Sequence, residues 1–334
     1  MQLCRRLLLL LILLGGLTFG YAYDHYTWNY DYIRVQAAAK DTAYAKSLLS
    51  SFHKRIDKFQ MNLGVYPSKQ INLIILPDRA SYNLVTHGKG KLVEHSQAFY
   101  SPQEQIIYVR SPDQLVNEEY ERVLMHEYIH WFLDNTMDNV PLWFHEGLAQ
   151  YYSGQFSFLS YYELTRYRFL GYKLSLQDMV YGYPADRNYW DMFYLTSVFA
   201  VNYLDSRHNK EWQEFWNYVG YYYDNPRDRL SPRVDFISAF NYSFRMSLYT
   251  YSKTFDKALS RYSWQFPFIG INGLIFALLP FLVFFAWLKG RHRLRNMPDT
   301  EPEFLPEEEA EEDELLSSAE EQLQEDTQEP DSVR

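Results

Sequence analysis

The sequence of 334 residues contains a single cysteine, Cys4, which precedes an apolar run at the start of the chain. One cysteine cannot form an intramolecular disulfide, and every residue after it lacks a thiol. A disulfide-stapled fold, a cysteine-based metal site and a thiol nucleophile are therefore excluded for the bulk of the protein.

Excess positive charge is also lacking. Sixteen of the 42 acidic residues lie between Asp299 and Arg334 with one basic residue, so the net charge of −10 describes a tail. The rest of the chain has 31 basic and 26 acidic residues, which gives little support to nucleic-acid binding. We expect the proline-rich acidic tail to be solvated and without a fold, and the alternative is a docking site for a partner protein.

Charge is missing altogether from two stretches. Residues 7–23 follow two arginines and predict a signal sequence over residues 1–22, either cleaved or kept as an N-terminal anchor. Residues 266–288 would span about 34 Å as a helix, which predicts a transmembrane helix, with a buried core helix as the alternative.

The orientation in the membrane follows from the flanking charges. Lys289, Arg291, Arg293 and Arg295 come directly after the second apolar stretch, and the positive-inside rule assigns this cluster to the cytoplasm. We therefore expect residues 24–262 to form one extracytoplasmic domain, and residues 289–334 to form a basic juxtamembrane segment and a cytoplasmic tail that any partner would meet there.

Within the exported part, short strands come early and helices come late, which predicts an α+β fold. Apolar spacing predicts a helix over residues 37–59, ended by Gly64 and Pro67. The predicted strands are residues 71–76 and 105–109, with residues 97–100 as a partner of the second. The later predicted helices are residues 117–134, a helix from Pro141 to before Gly154, residues 189–204 and residues 210–223.

The motif that carries chemistry is His126-Glu127-Tyr128-Ile129-His130, an HExxH sequence inside the helix predicted from residue 117. Four residues advance a helix by about 400°, so both imidazoles project from one face and can reach one metal ion. Glu127 lies to the side of that pair, where it can accept a proton from a water activated by the metal. One Zn²⁺ ion suits two imidazoles and a carboxylate.

A third ligand is needed, since otherwise the motif is equally consistent with a solvated surface helix. Glu146 follows on the next predicted helix, and His145 beside it competes for the role. Adjacent helical positions diverge by about 100°, so only one of the two is expected to face the ion.

The stretch LMHEYIHWFLDNTMDNVPLWFHEGLAQYYSG resembles the zinc-binding core of gluzincin metallopeptidases, particularly the bacterial peptidase MA-like group, in which a Glu-Gly-x-Ala-x-Tyr block follows HExxH. The resemblance implies a zincin-like domain with a small N-terminal mixed sheet, an active-site helix and a helical C-terminal part. It implies that His126, His130 and Glu146 bind zinc, with Glu146 favoured over His145, and that Glu127 is the general base.

Two further roles come only from the resemblance. Tyr194 matches the position of a residue that stabilises the oxyanion, although packing is the alternative in a chain with 31 tyrosines. The strand QIIYVR, residues 105–110, would lie near the cleft and accept an extended peptide, with ordinary sheet pairing as the alternative. The Gly-x-Met-Glu-Asn sequence of the large aminopeptidases is absent, so aminopeptidase activity is unsupported.

The sequence as a whole predicts a membrane-anchored zinc metallopeptidase that hydrolyses peptide or protein substrates. The alternative is a noncatalytic, zinc-bearing scaffold that binds peptide or envelope material and recruits a partner through its tail. Tyrosine pairs such as Tyr161-Tyr162 have three interpretations: plain packing, a substrate groove or contact with the membrane interface.

Overall fold

The structure is a computed structural model that describes residues 25–88, 96–111, 117–225 and 233–295. The predicted signal or anchor segment, residues 1–22, and the acidic tail beyond residue 295 lie outside the described residues. The chain divides into two compact units, residues 1–269 and 270–334, which are described separately.

The described strands of the first unit form a five-stranded mixed sheet in the order β1-β2-β3-β5-β4. Pairing is antiparallel at both edges and parallel from β2 through β3 to β5. The strands are β1 (His25–Tyr30), β2 (Ile33–Ala38), β3 (Ile71–Leu76), β4 (Ala98–Ser101) and β5 (Ile106–Arg110). The prediction of β3 is confirmed, as is the pairing of β4 with β5.

In the described residues, two helices lie between strands of this sheet and eight follow its last strand. They are α1 (Thr42–Leu63), α2 (Arg79–Thr86), α3 (Asn117–Thr136), α4 (Leu142–Ser153), α5 (Phe158–Phe169), α6 (Trp190–Arg207), α7 (Asn209–Asp224), α8 (Phe236–Phe244), α9 (Leu248–Ser263) and α10 (Phe266–Arg295). Two short strands, β6 (Met137–Asp138) and β7 (Val234–Asp235), form a separate parallel pair. The predicted α+β class is confirmed.

The predicted start of the first helix is wrong. Residues 37 and 38 end strand β2, and a 3₁₀ turn over Ala39–Asp41 precedes α1. Ile33, Val35 and Ala37 alternate along β2 and are fully buried, so pairing with β3 outweighs the helix propensity of the alanines. The predicted end is confirmed, because α1 stops at Leu63 and the next residue has a φ of 68°.

The sheet is covered on both faces. One face packs with α1 and α3 in the main core, where Leu73, Ile107 and Phe52 are buried. The other face packs with α2 through Tyr82 and Phe99. The surface-helix alternative for the HExxH motif is wrong, since α3 buries Tyr128, Trp131 and many of its other apolar residues.

The C-terminal apolar stretch lies in α10, which runs from Phe266 to Arg295 with Pro280 inside it. The apolar side chains described from residue 278 to 288 are exposed, Phe281 by 61% and Phe285 by 63%, unlike those of a core helix. Among the residues described, no helix combines the length and the apolarity needed to cross a membrane. Residues 269–277 of the predicted span lie outside the described side chains, so the transmembrane assignment stays a prediction.

Candidate metal centre

Helix α3 places the two histidines of the HExxH motif on one face, as the four-residue spacing predicts. The Nε2 atoms of His126 and His130 are 3.1 Å apart. Their side chains are only 16% and 17% exposed, and both line one cleft. Two imidazole nitrogens therefore point at the same small volume.

Helix α4 brings Glu146 to the same point. Its oxygens lie 3.5 Å from His126 Nε2 and 3.9 Å from His130 Nε2, and the residue is 5% exposed. Ligand atoms on a tetrahedron around zinc are about 3.4 Å apart when the bonds are about 2.1 Å long. The donor types and spacings therefore fit a metal ion. In the described part of the chain, His126, His130 and Glu146 form the group that could hold one.

His145 is also close, but it is not part of that group. Its ring lies 5.8 Å from the ring of His130, roughly parallel to it, and it lines the same cleft. Burial lowers the pKa of His145. The structure therefore separates the two candidates for the third ligand in favour of Glu146, and leaves His145 as a neutral ring beside the site.

The close packing of α4 on α6 fixes Glu146. A Cβ on the neighbouring residue, Gly147, would lie 2.3 Å from the carbonyl oxygen of Ser197 and 2.8 Å from Val201 on α6. Glycine therefore lets the two helix backbones approach each other. This approach also brings α6, which carries Tyr194, to the cleft.

The charges of the three donors are strongly coupled. Burial opposes ionisation of Glu146, but the neighbouring imidazoles and the hydrogen bonds from His126 and Tyr183 outweigh it and lower the pKa of Glu146. Burial lowers the pKa of His130 to about 3. Burial opposes the charge on His126 as well, yet the hydrogen bond to Glu146 and the nearby carboxylates raise its pKa.

Glu127 is held apart from the three donors. Its Oε2 accepts a hydrogen bond of 2.8 Å from the backbone N–H of Tyr100 in β4. Burial raises the pKa of Glu127 to about 7, with a smaller increase from Glu146 and opposing effects from His126 and the Tyr100 amide. A carboxylate with this pKa, aimed into the cleft, has the properties of a general base.

Two tyrosines line the cleft on the side of Glu146. The hydroxyl of Tyr183, in the loop between α5 and α6, donates a hydrogen bond to Glu146 Oε1. The ring of Tyr194 lies 6.2 Å from that of Tyr183. Burial and then the charge of Glu146 raise the pKa of both phenols, which keeps them protonated as hydrogen-bond donors. Of these two tyrosines at the cleft, Tyr194 is predicted from the sequence and Tyr183 is not.

The loop that carries Tyr183 is held by Pro184, whose carbonyl accepts a 2.9 Å hydrogen bond from the indole of Trp190. A residue before proline is restricted to extended backbone conformations. The Tyr-Pro pair next to α6 is the local signal that could have drawn attention to Tyr183. The periodicity of the sequence does not predict that Tyr183 contacts Glu146, which lies 37 residues earlier in the chain.

The cleft has a volume of about 420 Å³ and an apolar wall that includes Ala98, Phe99 and Leu142. The prediction that residues 105–110 could accept a peptide is wrong. Strand β5 lies between β3 and β4, so both of its edges are paired, and its alternative of ordinary sheet pairing is confirmed. The edge strands of the sheet are β1 and β4, and β4 is the one that lines the cleft.

Strand β4 directs alternate backbone groups away from β5. The N–H of Arg110 donates to the carbonyl of Gln97, which makes residues 97 and 99 the hydrogen-bonded positions of the antiparallel pair. The backbone groups of Ala98 and Tyr100 therefore face the other way, and the amide of Tyr100 reaches Glu127.

Comparison with protein families and with curated proteins gives no match to this chain. The gluzincin resemblance therefore depends on the residues of the HExxH and Glu146 stretches.

Proposed function

We propose that the chain is a zinc metallopeptidase with a zincin-like domain of the gluzincin type. One observation carries the proposal: His126, His130 and Glu146 from two helices meet within one cleft, with Glu127 beside them. A scaffold has no need of the fourth residue, whereas hydrolysis needs a base at this position.

The metal ion proposed for this site is Zn²⁺, because two imidazoles and one carboxylate are a donor set that zinc prefers. When bound, zinc would polarise a carbonyl group and make a water molecule acidic near neutral pH. Tyr183 donates to Glu146 and so orients this carboxylate toward the two histidines.

The protein's own groups would handle the proton and the developing charge. Glu127 accepts a proton from the attacking water and passes it to the leaving amine. Its carboxylate is held by the amide of Tyr100, which limits rotation away from the cleft. Tyr194, a protonated phenol that also lines the cleft, donates a hydrogen bond to the oxyanion.

The shape of the cleft favours a polypeptide substrate. The outward backbone groups of Ala98 can pair with an extended peptide, since β4 is the sheet edge. Beyond Tyr194 the surface continues into a groove of about 620 Å³ between α5 and α6, which Arg166 and Asp191 line. A chain crossing the site would have surface to contact on either side of the metal.

The proposal includes anchoring in a membrane through residues 266–288, with the catalytic domain on the extracytoplasmic side. The exposed apolar side chains of α10 and the basic residues that follow them support this part.

The test uses the purified full chain. Bound metal would be measured by elemental analysis, and hydrolysis would be measured with a mixed peptide library. The Glu127→Gln variant should keep the metal and lose about a thousandfold or more in kcat, because the amide cannot accept the proton. Glu119→Gln, an exposed change on the same helix, is the matched control and should behave as the unaltered protein.

Full activity in Glu127→Gln would contradict the proposed base. Metal binding without hydrolysis of any peptide, in a protein that still binds peptides, would favour the scaffold alternative.

A further inference from the structure

The first unit carries a group of exposed apolar side chains. On the surface of a soluble protein, exposed apolar residues usually occur singly. We define the aromatic patch as Phe158, Leu159, Phe169, Leu170, Trp264 and Phe268, each between 43% and 71% exposed. Four come from the two ends of α5, Trp264 follows α9, and Phe268 lies in the first turn of α10. Contiguous exposed apolar patches generally mark a surface with a binding partner.

Ring contacts join the members of the patch. The ring of Phe169 lies 6.1 Å from Trp264 and 5.5 Å from Phe266. Tyr162, one turn after Phe158 on α5, lies 5.3 Å from the same Phe266. At the other end of α5, the ring of Phe158 lies 6.4 Å from that of Tyr161, whose hydroxyl donates a hydrogen bond to Gln265 just before α10. Both ends of α5 therefore contact the segment around the start of α10.

A row of positive charges leads into the patch. Lys253, Lys257 and Arg261 recur every four residues on α9 and are all exposed, so they share the helix face that ends at Trp264. Within the described residues, neither Lys257 nor Arg261 has an ion-pair partner. We call these three residues the basic row.

The acidic side chains of the neighbouring helices do not offset the basic row. Glu163 on α5 is paired with Arg166, and Asp256 on α9 is paired with Arg168 at 3.3 Å. The surface therefore combines bulky apolar side chains with uncompensated positive charge. A bilayer with anionic headgroups offers the complementary pair, an apolar layer beneath negative charge.

We propose that this surface of the globular domain rests on an anionic lipid bilayer, with the aromatic patch at headgroup depth and the basic row against the lipid phosphates. Tryptophan, phenylalanine and leucine suit this depth, and Lys and Arg near an anionic surface are attracted to it. In the sequence, Phe268 is followed by the uncharged residues 269–288 of the predicted membrane span. The assignment does not depend on the metal centre.

The experiment uses the full chain with Cys4→Ser, which removes the only native thiol. Single cysteines replace Phe158 or Leu170 in the patch, and Met61, which is 66% exposed on α1, serves as the matched control. Each is labelled with an environment-sensitive fluorophore. The proteins are then reconstituted in vesicles of phosphatidylcholine, alone or with about a third phosphatidylglycerol to supply anionic charge. A lipid-borne quencher sits at headgroup depth.

The labels at Phe158 and Leu170 should be quenched several-fold more than the label at Met61, and more strongly on the anionic vesicles. Reversing the charge of the basic row with K253E, K257E and R261E together should lower the quenching of the patch labels on anionic vesicles to its level on neutral vesicles. Far-UV circular dichroism and an unchanged Met61 signal would show that this variant is folded.

Equal quenching at all three positions would overturn the proposal. Equal quenching on neutral and anionic vesicles would overturn the role of the basic row. A patch label that is shielded from water but insensitive to the lipid quencher would show that protein covers the patch, a second copy included, and would overturn the lipid assignment.

Discussion

The two walls of the cleft are built in different ways. One wall consists of α3 and α4, with α6 packed closely on α4, and it carries His126, His130 and Glu146, whose ligand atoms lie within 4.8 Å of one another. A second wall combines the edge strand β4 with the loop between α5 and α6, and it supplies the Tyr100 amide and the Tyr183 hydroxyl. The helical wall provides the candidate metal donors, and the strand and loop wall provides hydrogen bonds to Glu127 and Glu146.

The packed helices should therefore be the rigid part of the site, and the strand edge and the loop the adjustable part. The backbones of α4 and α6 nearly touch at Gly147, so α4 cannot shift without disturbing that packing and displacing Glu146. A strand edge and a loop held by a few hydrogen bonds can move as a substrate enters. Perturbing the two walls with matched substitutions should therefore have different consequences.

Removing the metal should have the largest effect, since it acts on the helical wall directly. Chelation, or His130→Ala, should abolish hydrolysis. Bound metal stabilises the folded state by about 2.7 kcal/mol when free metal exceeds Kd by about a hundredfold, so its loss should lower Tm by about 5 to 10 °C. Calorimetry with and without zinc measures this shift. If neither zinc nor His130→Ala changed the melting temperature, the metal would not bind at His130.

A glycine-to-alanine substitution in each wall should give the next largest effect, a difference in stability between the two variants. Gly147→Ala forces a Cβ against the backbone of Ser197 and should destabilise the protein by about 3 kcal/mol, with loss of bound metal. Gly182→Ala, in the loop next to Tyr183, meets no atom within 4 Å and should change stability by less than about 1 kcal/mol. Urea unfolding of both variants is the measurement, and equal losses would mean that the walls are equally tight.

Removing single hydroxyls should separate orientation of the ligand from stabilisation of the oxyanion. Tyr183→Phe loses the hydrogen bond to Glu146 and should weaken metal affinity by about 10 to 100-fold. Tyr194→Phe should lower kcat by about a hundredfold and leave metal affinity unchanged. Metal competition titrations and steady-state kinetics on both proteins test the split. The reverse pattern would exchange the two roles.

The smallest expected effect concerns the outer support of the helical wall. Asp235 caps α8, and its carboxylate accepts hydrogen bonds from Asn139 and Ser238. Partial burial works against the charged form, but these hydrogen bonds outweigh it and lower the pKa of Asp235.

A lowered pKa means that this stabilisation is complete above the unfolded-state pKa of about 3.9 and is lost as the pH falls through the folded-state value. Asp235→Asn should therefore cost less than about 1 kcal/mol at neutral pH, and the difference should shrink under acid conditions. Parallel urea titrations at several pH values measure it. A difference that grows under acid conditions would contradict the assigned cap.

The sequence is informative for the helical wall because its signals are local. HExxH has helical spacing, Glu146 follows a proline and precedes the glycine that ends α4, and each side chain projects where the helix dictates. The choice between Glu146 and His145 could not be made from the residues alone, since it depends on how α4 crosses α3. Both the resemblance and the structure favour Glu146 over His145.

The other wall carries little local signal. The amide of Tyr100 matters because β4 is the sheet edge, and edge position depends on the order of strands that are distant along the chain. The same dependence explains the errors over residues 105–110 and over the start of α1. Tyr183 is one of 31 tyrosines and is set apart only by the fold of a loop.

The most direct test of the central claim is anomalous diffraction at the zinc edge from crystals of the purified full chain. The account predicts one strong peak in the cleft, about 2.0 to 2.2 Å from His126 Nε2, His130 Nε2 and one oxygen of Glu146. A peak at other side chains, or Glu146 turned away from both imidazoles with no replacement ligand, would contradict it.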